Sequence, residues 1–189
     1  PMSESIRRAR NLPRASHGMT MAHVGLAIAM FGFVGSSAWK SEEIVFVQPG
    51  SIIEIAGFDV RFDGVEQVRG PNYVADRGTL TVSREGEFVT TLYPERRSYP
   101  VAQSRTTESA IRSTLAGDLY ASLAEPASET ASDQGAWTLR ILYEPLVFFI
   151  WMGSIMMIFG GGLSLSDRRL RVGAPRRAIK SKIAATPAE

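Results

Sequence analysis

Met19 to Trp39 reads MTMAHVGLAIAMFGFVGSSAW and contains no Asp, Glu, Lys or Arg. At about 1.5 Å of rise per residue, roughly twenty such residues make a helix about 30 Å long, the thickness of a bilayer's hydrocarbon core. A second block, Pro145 to Leu165, reads PLVFFIWMGSIMMIFGGGLSL and is equally free of charge. Together they predict a chain that crosses a membrane twice and carries about a hundred residues between the crossings. The mean hydropathy near zero conceals this, because the apolar residues are concentrated in the two blocks. Trp39 closes the first block and Tyr143, Phe148, Phe149 and Trp151 stand at the start of the second, as interfacial anchors do. A cleaved leader is the rival reading of the first block. Its apolar core would be shorter, and the small-residue run here ends in Trp39-Lys40 with no evident cleavage site.

Orientation follows from the basic residues. Arg7, Arg8, Arg10 and Arg14 precede the first block, and Arg168, Arg169, Arg171, Arg176, Arg177, Lys180 and Lys182 follow the second. From Lys40 to Thr138 there are nine basic residues against fifteen acidic ones. Clustered positive charge stays on the cytoplasmic side, so both termini are expected inside and the middle outside. The basic tail is read as touching anionic lipid. Nucleic acid is set aside as a partner, since the tail lacks the aromatic interleaving and basic surface that binding needs. Cysteine is absent, which excludes disulfides and thiolate metal ligands. With only His17 and His23, a self-contained multi-histidine metal site is not expected. The Pro-Met start reads as a piece of a longer polypeptide.

The segment between the blocks begins with short β-branched or alternating runs. Ile44 to Val47, Ile52 to Ile55, Phe58 to Phe62, Thr79 to Val82 and Phe88 to Leu92 are separated by Gln48-Pro49-Gly50, Gly57, Asp63-Gly64, Gly70-Pro71-Asn72, Arg77-Gly78 and Glu85-Gly86. Such spacing predicts a small antiparallel or barrel-like sheet domain. From Thr107 to Leu123, Ile111, Leu115, Leu119 and Leu123 recur every four residues, which predicts an amphipathic helix over about 107–124 capped by Thr106 or Thr107. Residues 125–135 have the composition of a mobile loop, and Trp137 to Tyr143 reads as a last strand. The expected fold is thus two transmembrane helices flanking a β-rich (α+β) domain with one amphipathic helix. The divisions are 1–18, 19–39, 40–144, 145–165 and 166–189.

His23 is the foremost candidate for chemistry. It lies about four residues into an uncharged span, about 6 Å below its cytoplasmic edge by helical rise. An ionisable residue inside a span is a functional hypothesis by default, and a neutral imidazole can donate a lone pair to a metal. The plainer role is a hydrogen bond to a neighbouring helix or to headgroups. Gly18, Ala22, Gly25, Ala29, Gly32 and Ser36 form a stripe of small residues that lets another backbone approach. The stripe is expected to meet helices beyond those this chain supplies; the alternative is the chain's own second span, where Gly153 and Gly160 lie seven apart. Tyr93-Pro94-Glu95-Arg96-Arg97-Ser98-Tyr99-Pro100 could hold a carboxylate such as a propionate, although a surface loop of ion pairs is the preferred reading. No Ser/His/Asp set or phosphate-cradling loop is present, and Gly160-Gly161-Gly162 ends a span.

The run Gly18-Met19-Thr20-Met21-Ala22-His23-Val24-Gly25 resembles the GMxxAHxG opening of a late transmembrane helix in the CcmF family of cytochrome c-type biogenesis proteins. The similarity continues through Gly70-Pro71-Asn72, Leu92 to Tyr99, Thr107 to Ile111, Asp118 to Ala121, Gly135-Ala136-Trp137 and Arg140. It closes with Pro145, Trp151-Met152-Gly153, Met156-Met157 and Gly160-Gly161, and so covers almost the whole chain in order. The resemblance implies a bacterial inner-membrane haem lyase subunit whose middle domain is periplasmic. Such proteins take haem from a periplasmic haem chaperone and join its vinyl groups to the thiols of apocytochrome c. They also hold a membrane haem b between two histidines on different helices, and His23 matches one of those axial iron ligands. The implied partners are the remainder of CcmF and other haem lyase subunits.

The departures limit what this chain does alone. The family's tryptophan-rich segment, its periplasmic histidines and its second membrane histidine have no counterpart here, and His17 matches no ligand. The chain by itself is therefore not expected to form thioether bonds. The competing reading is a haem-free, two-span assembly scaffold whose outer domain binds another protein. Topology is separately testable by reporter fusions. One placed between Ser128 and Asp133 is expected to be active outside the cytoplasm and one after Lys182 inside it; the reverse pattern would overturn the orientation.

Overall fold

Glycine decides where the two apolar helices meet. In a computed structural model, which describes residues 12–126 and 136–167, the first block lies in helix α1 (Arg14–Ala38) and the second in α2 (Val147–Leu165). Both are long and apolar enough to cross a membrane. Helix α1 starts a turn before the apolar block, where the Pro13 carbonyl accepts from the Ser16 N–H at 3.0 Å. By packing, the chain forms one unit up to Leu26 and from Ser154, and a second unit of Ala27–Gly153. In the first, Gly18 and Gly160 let the backbones touch: a Cβ on Gly160 would stand 2.5 Å from the Ala22 nitrogen. In the second, a Cβ on Gly32 would stand 2.8 Å from the Ile150 nitrogen, and the Phe31 and Phe149 rings meet edge to face at 5.9 Å. Along the small-residue stripe, Gly18 and Gly32 are approached by the chain's own second helix.

The domain between the helices is a β-sandwich. The four-stranded sheet has the order β1-β10-β9-β8, with β1 (Ser41–Val47), β8 (Ala110–Ser113), β9 (Gly117–Leu123) and β10 (Trp137–Pro145). The larger sheet runs β2-β3-β4-β6-β7, from β2 (Ile52–Ile55), β3 (Phe58–Arg69) and β4 (Val74–Arg84) to β6 (Glu95–Tyr99) and β7 (Ser104–Glu108); β5 (Glu87–Leu92) pairs beside β6 along β4. Each of the five runs expected as strands falls wholly in one of β1 to β5, but the breaks expected at Asp63-Gly64 and Arg77-Gly78 lie inside β3 and β4, the first as a bulge in the β3–β4 register. Strands β5 and β6 keep one register on β4, Leu92 opposite Leu80 and Glu95 opposite Arg77. They are one strand interrupted at Pro94, which has no N–H to give to the ladder; its carbonyl still accepts from Gly78 at 2.8 Å.

Alternation builds the core. Val60, Phe62, Leu80 and Val82 from the large sheet meet Leu119, Ala121, Leu123, Leu139 and Ile141 from the small one, all essentially without solvent contact. Strands β1 and β10 pair along their whole length, from Ser41 opposite Tyr143 to Val47 opposite Trp137. The junction at the other end is tight. Leu146 adopts a left-handed backbone (φ 62°), its N–H donates to the Ala116 carbonyl at 3.2 Å, and its side chain fills the notch at Gly35.

One expectation is corrected. The amphipathic helix over about 107–124 does not exist; the segment forms β7, β8 and β9. A spacing of four places residues on one face of a helix, but four is also twice the strand period. In β9 the buried hydrophobic side chains are Leu119, Ala121 and Leu123, a two-residue repeat, and the turn between β8 and β9 is closed by the Thr114 hydroxyl donating to the Gly117 carbonyl at 2.6 Å. Among the described residues the domain is therefore all-β, not α+β. The expected mobile loop falls mostly on residues 127–135, outside the described ones, as do most of both basic ends.

Replacing Leu139, wholly buried between the sheets, by Ala is expected to destabilise the sandwich by about 2–5 kcal/mol. Urea unfolding followed through Trp137 near-ultraviolet dichroism checks this.

Candidate functional site

Two places concentrate chemistry, one on α1 and one on the outer face of the large sheet. On α1, His23 is solvent-facing on the helix surface, on the side away from Gly25, which is buried. Its Nδ1 lies 2.8 Å from the Met19 carbonyl oxygen one turn earlier. A carbonyl only accepts, so Nδ1 carries the hydrogen and donates it. In a neutral ring so held, the lone pair would lie on Nε2. A backbone carbonyl that fixes the tautomer and orientation of an imidazole is the usual support of a metal-bound histidine. The immediate neighbours Val24 and Leu26 are exposed as well, giving the imidazole an apolar surround.

A single imidazole nitrogen here could hold one position on a metal such as a haem iron. His17 is exposed on the same helix, six residues earlier, which places it about 9 Å away along the axis. Two side chains of one rigid helix so spaced cannot clasp an iron from opposite sides. No group of three or more His, Cys, Asp or Glu able to hold a metal occurs among the described residues.

The second place is the Tyr93 to Pro100 segment. It is not a surface loop: Glu95 to Tyr99 is strand β6, inside the sheet. Register puts Glu95 directly opposite Arg77, and the pair binds at 2.6 Å. Arg97 donates from Nε to the other Glu95 oxygen at 2.8 Å and lies 4.6 Å over the Tyr73 ring. Tyr73 in turn packs on Tyr99 at 5.7 Å. Glu95 is only 6% exposed. Burial works to raise its pKa, but the hydrogen bonds from Arg97 and Arg77 outweigh it and hold the carboxyl below its ordinary value. The hydrogen bond to Glu95 is likewise the main reason the Arg97 guanidinium is raised, against its own burial. Both acceptor oxygens of Glu95 and the inner faces of both arginines are thus already engaged. The site holds this chain's own carboxylate in the place where a propionate was considered, and its role is structural.

Sequence reasoning found His23 as a lone imidazole in an apolar run and found Arg97 and Tyr99 as neighbours. It missed Arg77 and Tyr73, which lie far from β6 in sequence and join it only through strand register.

Comparison with known proteins gives a consistent set of relatives. The family model described as the CcmF C-terminal beta-sandwich matches residues 38–145. The cytochrome c-type biogenesis protein CycK of Bradyrhizobium diazoefficiens is 43% identical over 189 residues, covering 100% of this chain and 28% of the relative. The cytochrome c-type biogenesis protein CcmF of Escherichia coli is 39% identical over 154 residues, 82% of this chain and 23% of the relative. A solved structure titled Cytochrome c Heme Lyase CcmF superposes with a TM-score of 0.64 at 20% identity, covering 81% of this chain and 25% of that one, and so shares the fold. The chain spans about a quarter of the length of the proteins it matches.

A carboxyl whose pKa is lower folded than unfolded stabilises fully above the unfolded value, and the contribution is lost as pH falls through the folded one. Wild-type protein is therefore expected to lose Glu95-linked stability below about pH 4, under the ordinary carboxylate value of about 4.3. Glu95→Gln is expected to cost about 1.5–3 kcal/mol at pH 7, the range for hydrogen bonds to a charged group, and to lack that part of the acid dependence. Denaturant unfolding at pH 7 and pH 3 measures both.

Proposed function

The chain belongs to the CcmF family of cytochrome c-type biogenesis proteins, and from that premise we propose that it serves as the C-terminal segment of a membrane haem lyase subunit. In this reading His23 supplies one axial imidazole to a haem b within the bilayer, and the β-sandwich meets partners outside as haem passes to apocytochrome c. The observation that carries it is the His23 imidazole, its Nδ1 tied to the Met19 carbonyl at 2.8 Å and its Nε2 left to carry the lone pair.

A haem held there by His23 and an imidazole from elsewhere would supply one-electron redox chemistry. The tasks of this chain's own residues are narrower. Met19 fixes the ring, so that Nε2 is the basic nitrogen. The close packing of Gly18 against Gly160 braces the helix turn beneath it. Exposed Val24, Leu26 and Met30 keep that side of α1 apolar, which excludes water from an imidazole bond. The second imidazole belongs to the remainder of CcmF, because the chain's other histidine shares the same helix. Both termini lie in the cytoplasm and the sandwich in the periplasm, where other haem lyase subunits, the haem chaperone and apocytochrome c are reached. The fragment alone does not form thioether bonds.

The test is the absorption spectrum of the complex purified after co-expression with the rest of the polypeptide. His23→Gly is expected to remove most of the six-coordinate haem b signal, and added imidazole to restore part of it. His17→Ala is expected to leave the signal intact. A normal Soret band in the His23 variant would overturn the ligand role and favour a haem-free scaffold.

A further inference from the structure

The turn between β8 and β9 is tied down at every residue but one. The Thr114 N–H donates to the Gly117 carbonyl at 3.1 Å, and the Thr114 hydroxyl accepts from the Gly117 N–H at 3.2 Å. Gly117 packs so closely on β10 that a Cβ there would stand 2.7 Å from the Glu144 carbonyl oxygen. The Ala116 carbonyl accepts twice, from the Leu146 N–H at 3.2 Å and from the Tyr143 hydroxyl at 3.4 Å. The turn is thereby fastened to the residue that immediately precedes α2. Its two central positions are Leu115 and Ala116, where tight turns favour Gly, Pro, Asn, Asp or Ser. Leu115 is 71% exposed.

A singly exposed leucine is ordinary on a protein surface. What sets this one apart is its level. Helix α2 has 19 residues, which makes it about 28 Å long against about 30 Å of hydrocarbon to cross. A span with no length to spare begins at the edge of the hydrocarbon, so Leu146 and the turn bonded to it lie in the headgroup layer. Trp39 marks the same level independently. Leu146 and the Trp39 ring both border the space that a Cβ on Gly35 would enter, and Trp39 is 62% exposed just past the end of α1. Trp151, one turn into α2, is exposed as well. Exposed tryptophans at helix ends are the pattern of a membrane–water interface. The far end of the sandwich supplies a contrast. Val101, between β6 and β7, is also an exposed apolar turn residue, and it lies by Arg69 and Val74. Strand β3 runs to Arg69 from Phe58, whose ring meets Tyr143 at 6.0 Å, so Val101 stands about 36 Å of strand from the helix exits.

We propose that the β8–β9 turn is a third membrane anchor, in which Leu115 enters the boundary between lipid headgroups and acyl chains beside the first turn of α2. The partner is lipid, met through its acyl chains and not through a particular headgroup. The proposal rests on the reading of α1 and α2 as membrane spans. Because β1, β10, β9 and β8 stand side by side, the anchor widens the footing of the sandwich from two strands to four and resists rocking along the small sheet.

The chain has no cysteine, so single cysteines can carry an NBD fluorophore at Leu115, at Val101 and at Ile158, an exposed residue near the middle of α2. The complex with the rest of the polypeptide, any other cysteines replaced by Ser, is placed in phosphatidylcholine nanodiscs. Quenching by lipids bearing a nitroxide near the headgroup or deep in the chain reports lipid contact, and quenching by iodide reports water. Leu115→Cys is expected to be quenched severalfold more by the shallow nitroxide than by iodide, and Val101→Cys by iodide alone. Ile158→Cys is expected to respond to the deep nitroxide; if it does not, the membrane reading fails and the anchor with it. If Ile158→Cys responds while Leu115→Cys is quenched by iodide, or by neither agent because protein covers it, the anchor alone is overturned. Equal lipid quenching at Val101→Cys and Leu115→Cys would overturn it too. With the probe moved to Ser113→Cys, Leu115→Asp is expected to cut lipid quenching by about half, and an unchanged value would overturn the role of the side chain. The bonds that hold the turn come from main-chain groups, Thr114 and Tyr143, so replacing Leu115 removes none of them.

Discussion

A chain that leaves one apolar helix and returns into another must bring its two exits together, and the β1–β10 ladder does so. Ser41 stands opposite Tyr143, a few residues beyond the end of α1 and before the start of α2. Everything in between is arranged around that pair. Strand β10 is flanked by β1 and β9, so Leu139 and Ile141 sit at the centre of the small sheet and anchor its half of the core. The larger sheet is then fixed above them by Phe62, Leu80 and Val82. Loss of the ladder would separate the helix exits and expose the core at the same stroke. The antiparallel main-chain bonds are individually modest, but they are made between segments that the helices already confine.

Much of this was legible in the sequence, and the failures have definite causes. The two long apolar helices could be read from length and charge alone, because each is a run of about twenty uncharged residues. Strands β1 to β5 were legible because turn residues punctuate them. The stretch after Thr107 was misread because a spacing of four satisfies both a helix and every second pair of a strand. Leu119, Ala121 and Leu123 would have decided the matter, with Ala121 as the telling residue: small, apolar and at the position a helix would not need. The family resemblance, carried by motifs from Gly18 to Gly161, is borne out by the relatives.

The candidate sites divide the same way. His23 stood out because an imidazole is conspicuous in an apolar run. The Glu95 cluster did not, since its meaning lies in Arg77 and Tyr73, which only register brings near. The Tyr93 to Pro100 segment read as a surface loop of ion pairs; folded, it holds its ion pairs within a strand, around the chain's own Glu95.

Leu146 carries a consequence for how the domain and its second helix move. A left-handed backbone at a residue with a branched side chain costs about 1–2 kcal/mol, and here the side chain is seated in the Gly35 notch while the N–H is held by Ala116. A glycine at that joint would act as a swivel. Leucine makes it a keyed coupling: a twist applied to the sandwich is transmitted as torque to the first turn of α2, and the neighbouring turn of α1 is geared to it through Gly35. Forces exerted on the outer domain by anything bound there would be felt at the helix pair as rotation, with little lost to slack.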